Sequence, residues 1–156
     1  MGPRVVIIGV GNPLARDEGL GPRAIQRLAR RRLPQGVEAI DAGTDLLAAI
    51  GDLEAADQAI LIDAVRAGCR PGTIHRFTLE TLLEKSVDGP EWRSAHGLTV
   101  VAAIRLATAT GTRLPPTVVF GVEPGEVALG EGLTPAVEAA LDELIEKVLA
   151  EIPTAG

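Results

Sequence analysis

The chain has 156 residues, a net charge of −6 at pH 7 and a single cysteine. That length fits about one domain. The lone cysteine excludes an internal disulfide and a CxxC metal site, and an acidic chain with 2% aromatic residues lacks the basic face and stacking platforms of a general nucleic-acid binder.

The first predicted element is Val5-Val6-Ile7-Ile8, a β-branched run of the kind buried on both faces of a parallel sheet. It is too short for a membrane span, and no signal-peptide cleavage pattern accompanies it, so a cytoplasmic protein without membrane contact is expected. Residues 19–32 read as a helix, with Leu20, Ala24, Ile25 and Leu28 at helical spacing and Pro22 in its first turn. Its closing Arg30-Arg31-Arg32 complements a helix C-terminus. A second strand spans residues 37–41 and a short helix residues 45–53. A third buried strand, Ala59-Ile60-Leu61-Ile62, ends at Asp63. The turn cluster Ala67 to Gly72 leads at once into a fourth strand, Thr73 to Thr78, and so short a turn predicts an antiparallel hairpin partner rather than a crossover. Residues 79–95 are the least regular stretch. A helix follows over 97–110, then a fifth strand, Thr117 to Val122, and a last helix with Thr134 as N-cap and Pro135 at its first position. Strands alternating with helices predict an α/β fold. The expected form is a three-layer α/β/α sandwich, a mostly parallel five-stranded sheet with one antiparallel strand, in one domain over residues 1–156.

Ligands of open α/β sheets bind beyond the carboxyl ends of the strands. That rule selects the loop from Gly9 to Gly21, the segment Asp41-Ala42-Gly43-Thr44, Asp63, and Gly121-Val122-Glu123-Pro124, with Ser94-Ala95-His96-Gly97 able to reach the same edge. Gly9-Val10-Gly11 begins like a dinucleotide fingerprint, but Leu14 stands where its third glycine belongs, so no organic cofactor is expected. Asp17 and Glu18 enter a helix, where Asp17 can serve simply as N-terminal charge. Asp63 leaves an apolar strand and needs hydrogen bonds, a cation or a metal to offset its desolvation. His96 alone is as well read as a structural histidine as a ligand. With Glu18 and Asp63 it makes an O, O, N set suited to a borderline divalent ion such as nickel or zinc. Cys69, in a turn without a neighbouring histidine in sequence, reads as a structural thiol, and His75 as a strand residue facing solvent or pairing locally.

Gly9-Val10-Gly11-Asn12 followed by Asp17-Glu18-Gly19-Leu20-Gly21 resembles the N-terminal signature of the [NiFe]-hydrogenase maturation endopeptidases, peptidase family M52. The resemblance continues through Asp41-Ala42-Gly43-Thr44, Asp63, Ser94-Ala95-His96-Gly97, Gly121-Val122-Glu123-Pro124 and Leu133-Thr134-Pro135, nearly the whole chain in order. It implies a cytoplasmic endopeptidase that removes a C-terminal extension from a hydrogenase large-subunit precursor once nickel is inserted. It also implies that Glu18, Asp63 and His96 bind that nickel, which the substrate supplies, and a monomer is expected. Water activated by the metal or by a carboxylate such as Asp41 would do the hydrolysis. HExxH and GxSxG motifs are absent, so no conventional protease centre competes. One position departs from the family's pattern: Leu46 stands where glycine is usual, two residues after Gly43-Thr44.

Two other readings use the same residues. A nickel-binding chaperone or checkpoint module would hold metal through the same three ligands without hydrolysis. A peptidyl-tRNA hydrolase shares the Gly-Asn-Pro turn, but here no histidine follows that turn before His75 and the chain is acidic.

Overall fold

The computed structural model describes residues 2–88, 93–94 and 99–153, with side chains for residues 2–84 and 100–153. Five strands run in the order β2 (Val37–Gly43), β1 (Val5–Val10), β3 (Gln58–Arg66), β6 (Thr117–Val122) and β4 (Ile74–Thr78). β1 pairs in parallel with β2 and β3, and β3 with β6, while β4 closes the edge antiparallel to β6 and not to β3, the hairpin partner that the short turn predicted, because β6 is inserted between them. The expected mostly parallel sheet with one antiparallel strand is therefore present. A sixth, two-residue strand, β5 (Arg93–Ser94), pairs antiparallel with the end of β3.

The sheet is buried on both faces because alternate residues of each strand feed different cores. Val6, Ile8 and Val10 of β1 join Leu61 and Val119 under α3 (Leu79–Asp88) and α4 (Thr99–Ala109). Val5 and Ile7 join Ile60, Ile62 and Phe120 under α1 (Leu20–Leu28) and α5 (Pro135–Glu151). A 3-10 turn, Leu46–Ala49, and α2 (Ile50–Glu54) complete the α3/α4 layer. Among the described residues, no helix is long and apolar enough to cross a membrane.

The structure corrects several boundaries. The first helix stops at Leu28 rather than Arg32: the N–H groups of Arg30 and Arg31 bond the carbonyls of Arg27 and Leu28, three residues back, while Arg27 pairs with Glu138 and Asp142 at 2.9 Å and Arg31 with Glu146 at 2.8 Å. Residues 79–88, read as irregular, form α3. Thr78 Oγ1 accepts the Thr81 N–H at 3.3 Å, capping the helix start, and Leu79 and Leu82 bury one face. β3 does not end at Asp63 but continues to Arg66, because β6 and β5 both pair with its last residues.

Candidate active site

The parallel register brings the predicted segments to one edge of the sheet. Gly9 pairs with Asp41 and Ile62, and Asp63 pairs with Gly121. Beyond Val10 the chain turns through Asn12, whose Oδ1 accepts the Leu14 N–H at 2.9 Å, and enters a 3-10 turn over Arg16–Gly19 that packs against β3. Two glycines permit this. A Cβ on Gly11 would lie 1.8 Å from the Glu18 carbonyl oxygen, and one on Gly21 would lie 2.3 Å from the Val10 carbonyl oxygen and 2.8 Å from that of Ile62. The glycine pattern of this loop is thus a close-packing requirement that seats Glu18 against the end of β1.

Asp17 and Glu18 are adjacent but play different parts. Asp17 is fully buried and accepts four hydrogen bonds of 2.7–2.9 Å: from the N–H groups of Gly125, Glu126 and Thr134 and from Thr134 Oγ1. Burial pushes its carboxyl up, but the bonds from Glu126, Thr134 and Gly125 together outweigh this and hold it below its ordinary value of 3.8. Thr134 sits at the N-cap position of α5, yet its hydroxyl serves Asp17 rather than the helix. Backbone bonds from Arg16 N–H to Gly130 and from Gly130 N–H to Leu14 extend the seam. Sequence reasoning gave Asp17 only a helix-terminus role, since its partners lie 108–117 residues away. Glu18, by contrast, is half-buried, and its carboxylate makes no hydrogen bond to another described residue.

Asp63 is 2% exposed, inside the ladder, with its Oδ1 accepting the Ala64 N–H at 2.9 Å. It shares a sheet face with Leu61 and Val65, the face covered by α4. Ser94, two residues before His96, pairs with Val65, two residues after Asp63. His96 itself lies outside the described residues. Asp41 is exposed on the edge strand β2, its Oδ1 closing a turn onto the Gly43 N–H at 2.8 Å. β1 separates it from β3, so two strand spacings, about 10 Å, lie between Asp41 and β3. Leu46, the departure from the family's pattern, is fully buried in the core under α4 and anchors the 3-10 turn from below. An open groove of about 400 Å³ runs beside the Glu18 turn, between Pro13, Arg16, Pro22, Arg23 and Leu133.

The turn after β3 carries groups that the sequence reading set aside. Glu123, 4% exposed, accepts the N–H groups of Ala67 and Cys69 at 2.9 and 3.0 Å, and its Oε1 lies 3.7 Å from His75 Nε2. His75, expected to face solvent or pair locally, thus pairs across the sheet, and Cys69 is an exposed free thiol.

A family model, HycI, described as hydrogenase maturation protease, matches residues 22–151. The hydrogenase 2 maturation protease of Escherichia coli K12 is 32% identical over 158 residues, covering 98% of this chain and 93% of that protein. The hydrogenase expression/formation protein HupD of Rhodobacter capsulatus is 33% identical over 98% of this chain and 73% of its own length. Among solved structures, the hydrogenase maturating endopeptidase HybD of E. coli superimposes with a TM-score of 0.81 at 32% identity, over 94% of this chain and 90% of that one. The [NiFe] hydrogenase maturation protease HybD of Thermococcus kodakarensis does so at 0.79 and 27% identity, over 93% and 96%. Both the fold and the sequence lead to one conclusion: the chain belongs to the hydrogenase maturation protease family and is a peptidase.

Proposed function

We propose that this peptidase removes the C-terminal extension of a [NiFe]-hydrogenase large-subunit precursor after nickel insertion, and that it recognises the precursor's own nickel through Glu18, Asp63 and His96. The observation that carries the reading is Asp63. Its carboxylate is 2% exposed near the carboxyl end of an apolar strand, an oxygen donor of the kind that a cation brought by a substrate would engage. Glu18, half-exposed on a turn packed against the same strand, is suitably located to be a second oxygen ligand. Nickel is substrate here, and the chain needs no resident cofactor. With the metal engaged, the scissile peptide lies along the carboxyl edge of the sheet, and the groove beside Glu18 offers room for neighbouring precursor residues. Water attacks the scissile carbonyl, polarised by the precursor's nickel or activated by a carboxylate at this edge such as Asp41. The departing amine receives a proton. We infer a cytoplasmic monomer without nucleic-acid or membrane partners, in keeping with the acidic charge of −6.

Incubating the purified chain with nickel-loaded and nickel-free precursor, followed by mass spectrometry, tests this. Loss of a C-terminal peptide from the loaded form alone is expected. Equal cleavage of both forms would defeat the recognition model, and binding without any cleavage would favour a checkpoint module.

A further inference from the structure

Cys69, His75 and Glu123 come from three different parts of the chain: the turn after β3, the start of β4 and the end of β6. Among the described residues they form the one group of three donor side chains close enough to share a metal ion, with their ligand atoms all within 4.8 Å of one another. The topology produces this convergence. Because β4 runs antiparallel to β6, His75 pairs with Gly121, and the chain beyond Gly121 continues to Glu123, whose N–H bonds the Thr73 carbonyl at 2.9 Å. His75 and Glu123 are therefore diagonal neighbours on one face. Glu123 then accepts the N–H groups of Ala67 and Cys69, which draws the turn back over the strand end. Gly68, at φ +75°, supplies the left-handed residue that this reversal needs beside Cys69.

We propose that Cys69, His75 and Glu123 bind one divalent cation of borderline softness, such as zinc or cobalt, through sulfur, imidazole nitrogen and carboxylate oxygen, leaving one coordination position open to solvent. Ligand type argues for that class: thiolate with imidazole selects such ions over magnesium or calcium. In a tetrahedral zinc site, bonds of 2.0–2.3 Å set the donors about 3.5 Å apart. The 3.7 Å between His75 Nε2 and Glu123 Oε1 is close to this, and the exposed Cys69 side chain, its sulfur within 4.8 Å of both, has at most about 1.3 Å to close. Binding releases the thiol proton to solvent. The site is distinct from the trio of the proposed reaction. Asp63 and His75 flank Gly121 on opposite sides, so two strand spacings, about 10 Å, separate them. The proposal does not depend on the nickel-recognition reading.

The chain's single cysteine makes the test specific, since any thiolate-to-cobalt charge-transfer band must arise from Cys69. Chelator-treated protein titrated with Co²⁺ should develop that band at one equivalent and lose it when Zn²⁺ is added. Cys69→Ser should abolish it. His75→Ala and the bulkier His75→Gln should each weaken cobalt binding at least about tenfold, and His96→Ala should leave the band unchanged. Circular dichroism of both His75 variants identifies whichever stays folded, and that variant decides the result. Absence of the band overturns the proposal. So does a band that persists in the folded His75 variant, as an exposed thiol bridging two chains would give.

Discussion

The loop after β1 and the turn after β3 lie at the same sheet edge, and each is held by one buried carboxylate reached from far along the chain. They differ in how completely that carboxylate is used. Asp17 accepts four hydrogen bonds, from both ends of the segment between Gly125 and Thr134. Glu123 accepts two N–H groups and in addition faces an imidazole. A carboxylate saturated by fixed donors is a fastener, whereas its neighbour Glu18 makes no hydrogen bond to another described residue and is the one proposed as a ligand. A carboxylate that still faces a titratable partner combines fastening with coordination. Burial alone, 0% for Asp17 and 4% for Glu123, does not separate the two roles; the donor inventory does.

The comparison can be broken from either side. The largest effect belongs to the chemistry: Asp63→Asn should lower precursor processing about a hundredfold or more while the thermal midpoint stays within a few degrees. Processing at the wild-type rate would remove Asp63 from the site. Next, Asp17→Asn should destabilise the fold by about 3 kcal/mol at neutral pH, because its amide hydrogens would confront buried N–H donors. Chemical denaturation at several pH values sharpens this. The folded-state value of Asp17 lies below its ordinary 3.8, so its contribution is complete above that value and disappears as pH falls through the lower, folded one. The gap between wild type and Asp17→Asn should therefore narrow below about pH 4. Glu123→Gln should cost only about 1 kcal/mol, since the amide oxygen can still accept both turn N–H groups; a loss as large as that of Asp17→Asn would make Glu123 the same kind of fastener. The smallest change is Arg31→Ala at the α1–α5 surface, where a half-exposed pair should contribute at most about 0.5 kcal/mol by urea denaturation.

The strands Val5–Val10 and Thr117–Val122 were legible because two-sided burial writes itself as a continuous apolar run. The carboxyl-edge rule then located Asp41, Asp63 and Glu123 without further information. What escaped was whatever depends on partners distant in sequence. Nothing within ten residues of Asp17 announces the N–H groups of Gly125 and Thr134. α3 escaped for a local reason: its apolar pattern is brief and runs into Gly89-Pro90, which read as loop. The meeting of His75 with Glu123 escaped because the short turn pointed to a hairpin of β4 with β3, whereas β6 lies between those two strands and pairs with β4. His96, assigned on resemblance, lies outside the described residues and rests on the tests above.

The bonds from Asp17 to Thr134 also set an order of events in time. They join residues 117 positions apart, so the turn carrying Glu18 cannot lock until the chain has been made through the start of α5 and that helix has docked on α1. Contacts of such separation form late in folding, after the local strands and helices have paid their closure entropy. A chain cut off before Thr134 would lose two of the four hydrogen bonds that hold Asp17, so the far end of the sequence fixes the loop that follows its first strand.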